Sequence, residues 1–461
     1  MSARTSHGPT ILVAALSSAF ATGLLGITEV LVATVRADDV WGQADMMQVI
    51  LTIVSAVFIT IAVYVAAVVT VNTVATVVAG RTRELALARL LGATASSRRR
   101  ILASEGLVAG ALGGLIGVLA GAGLVIAGTR LAINGGALPD LAYPLLSPLA
   151  VPVAIVIALV TWLAAWVGTR RVLEVSPIAA LGSAVPADSD AVHRRRGRRV
   201  FAVVTVIAGA GLLALGIVVG LADPIGVLIG VVGGLVSFTG VIAGSVFVIP
   251  PVLRAVGAVL GRSAAARLGA ANATRSPERS SRSAIGLVIG VTLVTTFVVA
   301  GSTLGDMVRT ASTESFGSTD PVDELLGQLM GVFGVLVGYS ALIAAVGLVN
   351  ALTVGVLQRT REFGLLRALG FSRAQVQGTV VAEAATLTIT AVGLGLALGV
   401  LYGWAGANSL FAGELGSIVA PTVPWWLLVG VAAVGAVLTV AASVVPANRA
   451  ARLSPVVALA A

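Results

Sequence analysis

The chain has 461 residues, of which 57% are hydrophobic and 11% are charged, and its formal net charge is +9. A soluble domain carries roughly a quarter charged residues, so this composition indicates a membrane protein. The chain contains no cysteine and no lysine, which excludes disulfides, thiolate chemistry and the lysine of a GxxxxGKS/T phosphate loop. Basic cytoplasmic loops account for the positive charge better than a nucleic-acid partner does, so we expect no nucleic acid.

Apolar runs long enough to cross a hydrocarbon core of about 30 Å as helices recur along the chain. The sequence predicts ten such spans, at about residues 11–34, 47–79, 101–129, 148–168, 200–221, 225–252, 284–305, 326–357, 379–405 and 424–445. With the N-terminus inside the cell, alternation of these spans places 26 of the 29 arginines on the cytoplasmic side. We therefore expect an all-α polytopic protein of a bacterial inner membrane, with both termini in the cytoplasm.

A charged segment follows the second span and recurs after the eighth. The two copies read RTRELALARLLG at residues 81–92 and RTREFGLLRALG at residues 359–370, so they lie 278 positions apart. Glu105 and Glu383, further along the chain, keep the same offset. No residue has been gained or lost between the start and the end of either copy, which indicates an internal duplication.

The duplication divides the chain into three parts. We predict a first four-helix repeat at residues 1–183 and a second at residues 280–461. Residues 184–279 hold an arginine-rich linker, two extra spans and a cytoplasmic segment. The serine-proline pairs that close the repeats, Ser176-Pro177 and Ser454-Pro455, again keep the offset. Because four spans are an even number, both copies enter the membrane from the same side and are parallel repeats.

Each charged segment is predicted to form a short helix and a tight turn that leads into the next span. Arginine and glutamate three residues apart share a helical face and can pair. A glycine fits the stop of each helix, and Ser372 with Gln375 fits a capping box at the start of the ninth span. The leucines spread around the helix axis, which favours docking to a protein partner over a plain basic loop. The residues expected to dock are Arg81, Arg83, Glu84, Leu87, Arg89, Leu91, Gly92, Arg359, Arg361, Glu362, Leu365, Arg367, Leu369 and Gly370.

Two carboxylates are predicted to lie just inside the membrane. Glu105 and Glu383 stand one turn inside the third and the ninth span. A carboxylate at such a position is costly unless it is paired or hydrated. An ion pair with a nearby arginine, such as Arg81 or Arg359, explains the shallow position better than a proton or substrate site does.

Small and amide side chains predict contacts between helices. Asn72 and Asn350, which keep the same offset, are expected to form hydrogen bonds between helices. Glycines at four-residue spacing let the backbones of apolar helices approach closely. Such glycines are Gly106, Gly110, Gly113, Gly114, Gly117 and Gly121 in the third span, and Gly395, Gly399 and Gly403 in the ninth.

The duplicated RTRE segments, the glycine-rich span after each and the serine-proline endings resemble the FtsX-like permease subunits of ABC transporters. That family includes macrolide-exporter, lipoprotein-release and bacitracin-efflux permeases, and the ten-span plan is similar to the last of these. The resemblance implies that residues 81–91 and 359–369 are coupling helices, which dock two copies of a cytosolic ATPase subunit. It also implies that this partner binds ATP and Mg, while the chain itself has no catalytic site, cofactor or metal.

The resemblance further implies transport. We expect a permease, surrounded by lipid, that exports a lipid-like, peptide or amphipathic drug-like substrate. The outer gaps at residues 36–45 and 306–323 are too short for the extracellular domain common in the family, so no extracellular partner is expected. The same shortness disfavours an alternative, a membrane subunit that regulates a cell-envelope enzyme or sensor without moving a solute. A second alternative, an ion-coupled transporter, requires charges near the bilayer midplane, where the sequence places none.

Overall fold

The computed structural model describes residues 8–37, 45–80, 95–135, 138–144, 147–173, 189–260, 277–316 and 370–452, together with residues 268, 271, 327, 334 and 338. The described residues form helices joined by short loops and include no strand. In chain order these helices are α1 (Gly8–Arg36), α2 (Asp45–Gly80), α3 (Ala95–Asn134), α4 (Ala150–Leu173), α5 (Ser189–Gly220), α6 (Gly226–Leu260), α7 (Pro277–Phe316), α8 (Arg373–Leu415) and α9 (Trp425–Arg452). A helix pairs its own backbone groups internally, which is the condition for crossing a bilayer.

All but one of the predicted spans correspond to a described helix. Helices α1–α7 match the first seven spans, and α8 and α9 match the ninth and tenth. Of the eighth span, at 326–357, the structure describes residues 327, 334 and 338 alone. Eight helices of the described part, α1–α8, are long and apolar enough to cross a membrane, and the apolar stretch of α9, Trp425–Val437, is shorter. The all-α polytopic membrane fold is therefore confirmed, whereas the count of ten spans and the three-part boundaries remain predictions.

In the first repeat, α1 packs along α2, α3 and α4, and α3 packs along α4. Glycines on two faces of α3 make the close contacts. A Cβ atom at Gly113 would lie 2.6 Å from the Cβ of Ala14 on α1, and one at Gly110 would lie 3.0 Å from the Cα of Ala158 on α4. Only hydrogen fits at those separations, so the predicted glycine contacts are confirmed on both sides of α3.

The second repeat reproduces the tightest of these contacts. Helix α8 begins at Arg373 and α3 begins at Ala95, so the two starts keep the offset of the charged segments. The glycines of α8 face α7: a Cβ atom at Gly395 would lie 2.7 Å from the Cβ of Val291, and one at Gly403 would lie 2.7 Å from the carbonyl oxygen of Thr296. The α7–α8 interface is thus built in the same way as the α1–α3 interface.

The two extra helices form a hairpin between the repeats. Glycines line the contact of α5 with α6: a Cβ atom at Gly216 would lie 2.6 Å from the backbone nitrogen of Gly230. This hairpin packs against α8 of the second repeat, and α6 also contacts α7 and α2. The repeats themselves meet where Phe58 of α2 packs edge-on against Phe297 of α7, with ring centroids 6.1 Å apart. Helix α6 therefore lies beside elements of both repeats.

Candidate functional site

The turn that leads from the second charged segment into α8 has the predicted geometry at its described end. We call this turn, and the equivalent turn before α3, an elbow. Gly370 has φ 93°, a left-handed conformation that favours glycine. The backbone N–H of Gln375 donates to Oγ of Ser372 at 3.2 Å, and the backbone N–H of Ser372 donates to Oε1 of Gln375 at 2.8 Å. The predicted capping box is confirmed, and it fixes the point at which the chain turns into the membrane.

The start of α3 is fixed by a contact that the sequence reasoning missed. Nε of Arg99 donates to the carbonyl oxygen of Trp166 on α4 at 3.2 Å. The Arg99 guanidinium also lies 3.8 Å from the centre of the Trp166 ring, which stacks on Trp162. Arginine is attracted to the face of an indole, so this contact clamps the first turns of α3 to the end of α4. The sequence feature that indicates such a contact is a tryptophan close to arginine residues near the end of an apolar span.

The predicted docking residues lie outside the described part of the chain, except for Gly370. They are Arg81, Arg83, Glu84, Leu87, Arg89, Leu91, Gly92, Arg359, Arg361, Glu362, Leu365, Arg367 and Leu369. Asn350 lies outside it as well. Their roles remain predictions. What the structure does describe is the helix that follows each segment, α3 after the first and α8 after the second.

The other predicted polar residues are half-buried within the helices. Asn72 lies on α2, and its hydrogen bond to another helix remains a prediction. Glu105 and Glu383 occupy equivalent places, since each lies at the same distance along the chain from the start of its helix. Both carboxylates are half-buried, as expected for a position near the membrane boundary. The proposed arginine partners, Arg81 and Arg359, are outside the described residues.

A cavity of about 200 Å³ lies between α2, α6, α7 and α8, and the sequence did not predict it. A water molecule needs only about 10–15 Å³ of comparable space, so the cavity is large enough for an organic group. None of its described lining residues is charged. The cavity lies where the two repeats and the extra hairpin come together.

Three aromatic side chains form one end of the cavity. The ring of Phe238 on α6 is 6.5 Å from Tyr64 on α2 and 6.2 Å from Tyr402 on α8, both edge-on. The hydroxyl of Tyr64 is 2.7 Å from Oγ1 of Thr239, and that of Tyr402 is 3.1 Å from Oγ of Ser237. Both tyrosines are thus tied to α6. We call Tyr64, Phe238 and Tyr402 the aromatic floor.

Two repeats whose glycine-rich helices pack in the same way, with an extra helical hairpin between them and an apolar cavity at their junction, define a polytopic membrane protein of duplicated design. A family model described as "FtsX-like permease C-terminal" matches the chain twice, at residues 56–177 and 334–455. The two matches keep the offset of the charged segments and together cover more than half of the chain. The chain belongs to the FtsX-like permease family of ABC transporters.

Similar proteins carry consistent names. The chain is 31% identical over 128 residues to the uncharacterized ABC transporter permease YknZ of Bacillus subtilis, covering 28% of this chain and 30% of YknZ. It is 28% identical over 165 residues to the uncharacterized ABC transporter permease MJ1507 of Methanocaldococcus jannaschii, covering 33% of this chain and 41% of MJ1507. It is 36% identical over 121 residues to the macrolide export ATP-binding/permease protein MacB of Nitrobacter winogradskyi, covering 26% of this chain and 18% of MacB. The similarity thus spans less than half of each relative.

Proposed function

We propose that this chain is the membrane subunit of an ATP-driven exporter, docked to two copies of a cytosolic ATPase subunit. The duplication carries the proposal: the helices that follow the two charged segments, α3 and α8, start at equivalent positions of the two repeats and use the same kind of glycine contact. A symmetric pair of ATPase subunits needs two equivalent docking points, and a duplicated permease supplies both from one chain. The protein sits in the bacterial inner membrane with both termini in the cytoplasm.

The ATP chemistry belongs to the partner. The chain has no lysine for a phosphate loop, so the ATPase subunit binds ATP and Mg. The name of the MacB relative, "ATP-binding/permease protein", describes both activities in one protein. The name of YknZ mentions the permease alone. We assign the same role to this chain and place ATP binding in a separate subunit.

Rigid contacts at each elbow transmit the motion of the ATPase. On the first repeat, the Arg99–Trp166 contact joins the start of α3 to α4. On the second repeat, the Ser372–Gln375 capping box fixes the start of α8. When ATP draws the two partner subunits together, residues 81–91 and 359–369 approach each other. Each repeat then tilts as a body, and a lipid-like, peptide or amphipathic substrate moves outward.

The test is ATP turnover by the reconstituted complex. Glu84→Ala and Glu362→Ala each remove the carboxylate of one RTRE segment. We expect each change to weaken ATPase binding about tenfold, corresponding to about 1.4 kcal/mol per docking site, and the double variant to lose stimulated turnover. Glu414→Ala is the matched control, because Glu414 is an exposed carboxylate near the opposite end of α8. Full binding and full turnover in the double variant would show that these segments do not dock the ATPase.

A further inference from the structure

The junction cavity is a slot that runs along the helices. Its wall on α7 runs from Ile289 to Leu304, which are fifteen positions apart, or about 22 Å of helix at about 1.5 Å per residue. One end lies level with the turn between α5 and α6, where Val227 lines the wall. The other end is the aromatic floor. Because a volume of about 200 Å³ extends over this length, the cavity is long and narrow rather than round.

The slot is closed beyond the aromatic floor. On the far side of that floor, Ile285 and the partly buried Val68 and Ile242 pack into a cluster with Phe238. The slot therefore does not continue toward the other face of the protein along this route. An occupant has to enter from the end near the α5–α6 turn or from the side, between the helices.

The chemistry of the wall selects the occupant. None of the described lining residues carries a charge, and the hydroxyls of Tyr64 and Tyr402 are engaged by Thr239 and Ser237 of α6. A charged group placed here would lose its hydration and would find no opposite charge among the described lining residues. A hydrocarbon chain has no hydration to lose, and inside the slot its apolar surface is in contact with apolar side chains.

We infer that this slot is a binding site for one acyl chain of a membrane phospholipid, inserted with its end toward the aromatic floor. The head group stays at the level of the α5–α6 turn, where the polar membrane boundary lies. The nearest source of such a chain is the bilayer that surrounds these helices. The inference rests on the proposed function, since it identifies the class of group that the exporter holds between its repeats.

Two glycines of the wall allow the slot to be filled without disturbing helix contacts. A Cβ atom at Gly406 on α8 would meet nothing within 4 Å, and one at Gly234 on α6 would approach only Cδ2 of Leu213, at 3.9 Å. Gly406→Phe and Gly234→Leu therefore place side chains in the slot from two different helices. Gly211→Phe is the matched control, because Gly211 is exposed on α5 and its Cβ atom would also meet nothing within 4 Å.

The experiment uses the full chain in phosphatidylcholine vesicles that contain a phosphatidylcholine with a diazirine midway along one acyl chain. After illumination, we expect adducts on the slot-facing residues of α2 and α7, such as Val57 and Leu293, at several-fold higher yield than on exposed helix faces. Gly406→Phe and Gly234→Leu should each reduce these adducts several-fold, and Gly211→Phe should leave them unchanged. Helical content and elution volume confirm that each variant is folded.

Adducts spread evenly over the exposed helix faces, or slot labelling unchanged in both filled variants, would overturn the inference. Adding the ATPase subunit to the same vesicles separates this inference from the proposed function. Stimulated ATP turnover without slot labelling would contradict the acyl-chain site alone. Slot labelling without stimulated turnover would contradict the proposed coupling to the ATPase and leave the site standing.

Discussion

The two repeats use the same contact on one face of their glycine-rich helix and differ on another. Leu124 and Leu131 of α3 are 53% and 72% exposed. The equivalent residues of α8 are Tyr402, which belongs to the aromatic floor, and Ser409, which is fully buried at 0% exposure. The difference arises because the α5–α6 hairpin covers α8 and leaves α3 uncovered. The pairing inside each repeat is thus shared, whereas the described lining of the cavity includes residues of α8 and none of α3.

The largest expected effect comes from breaking the contact that the repeats share. A Cβ atom at Gly121 would lie 2.7 Å from the carbonyl oxygen of Ala19, and one at Gly399 would lie 2.8 Å from that of Thr292. We expect Gly121→Leu and Gly399→Leu each to destabilise the protein by about 3 kcal/mol, since a backbone neighbour cannot move aside cheaply. Thermal unfolding in detergent measures the effect.

Each of these variants has a control on its own helix. Gly123 and Gly393 are exposed, and a Cβ atom at either would meet nothing within 4 Å. Gly123→Leu and Gly393→Leu should unfold within a few degrees of the parent protein. If Gly121→Leu and Gly399→Leu melt at the same temperatures as these controls, the glycine contacts do not hold the helices of each repeat together.

A smaller effect is expected where the repeats differ. A Cβ atom at Gly220 would lie 2.7 Å from the backbone Cα of Ser409, so α5 and α8 are in close contact at this point. Ser409→Leu should cost about 2 kcal/mol, because the added volume forces the hairpin away from α8. Leu131→Ala, at the equivalent exposed position, should change the stability by about 0.5 kcal/mol or less. Equal melting temperatures for the two variants would contradict the asymmetry.

The smallest expected effect concerns the elbows. The first repeat fixes its elbow with Arg99 and Trp166, whereas position 377, which is equivalent to Arg99, is glutamine. Arg99→Gln should therefore cost about 1 kcal/mol and raise hydrogen exchange only in the first turns of α3. Arg100→Gln is the neighbouring control, because Arg100 is exposed. Similar exchange in both variants would show that the ring contact does not clamp α3.

The sequence was sufficient for features that depend on local pattern or on the fixed offset. Apolar runs predicted the helices, four-residue glycine spacing predicted the tight contacts of α3 and α8, and Ser372 with Gln375 predicted a capping box that the structure contains. Each of these patterns involves residues that lie within a few helical turns of one another along the chain. The family assignment followed from the same repeats.

The sequence was not sufficient for features that depend on which helices become neighbours. The aromatic floor joins residues 64, 238 and 402, which share neither the offset of the repeats nor any local spacing. Nothing in the order of the spans shows that α6 packs beside both α2 and α8. The Arg99–Trp166 contact was missed for the same reason, since it links the start of one helix to the end of the next.

The glycine contacts have a consequence for the entropy of motion. Where α1 meets α3 and α7 meets α8, backbone lies against backbone or against short side chains such as Ala14 and Thr295. Such surfaces have few rotamers, so little side-chain entropy is gained or lost when a repeat changes its tilt. If the repeats tilt as proposed, the larger change in side-chain entropy falls at the junction between them, where longer side chains such as Phe58, Tyr64 and Phe297 have rotamers to rearrange.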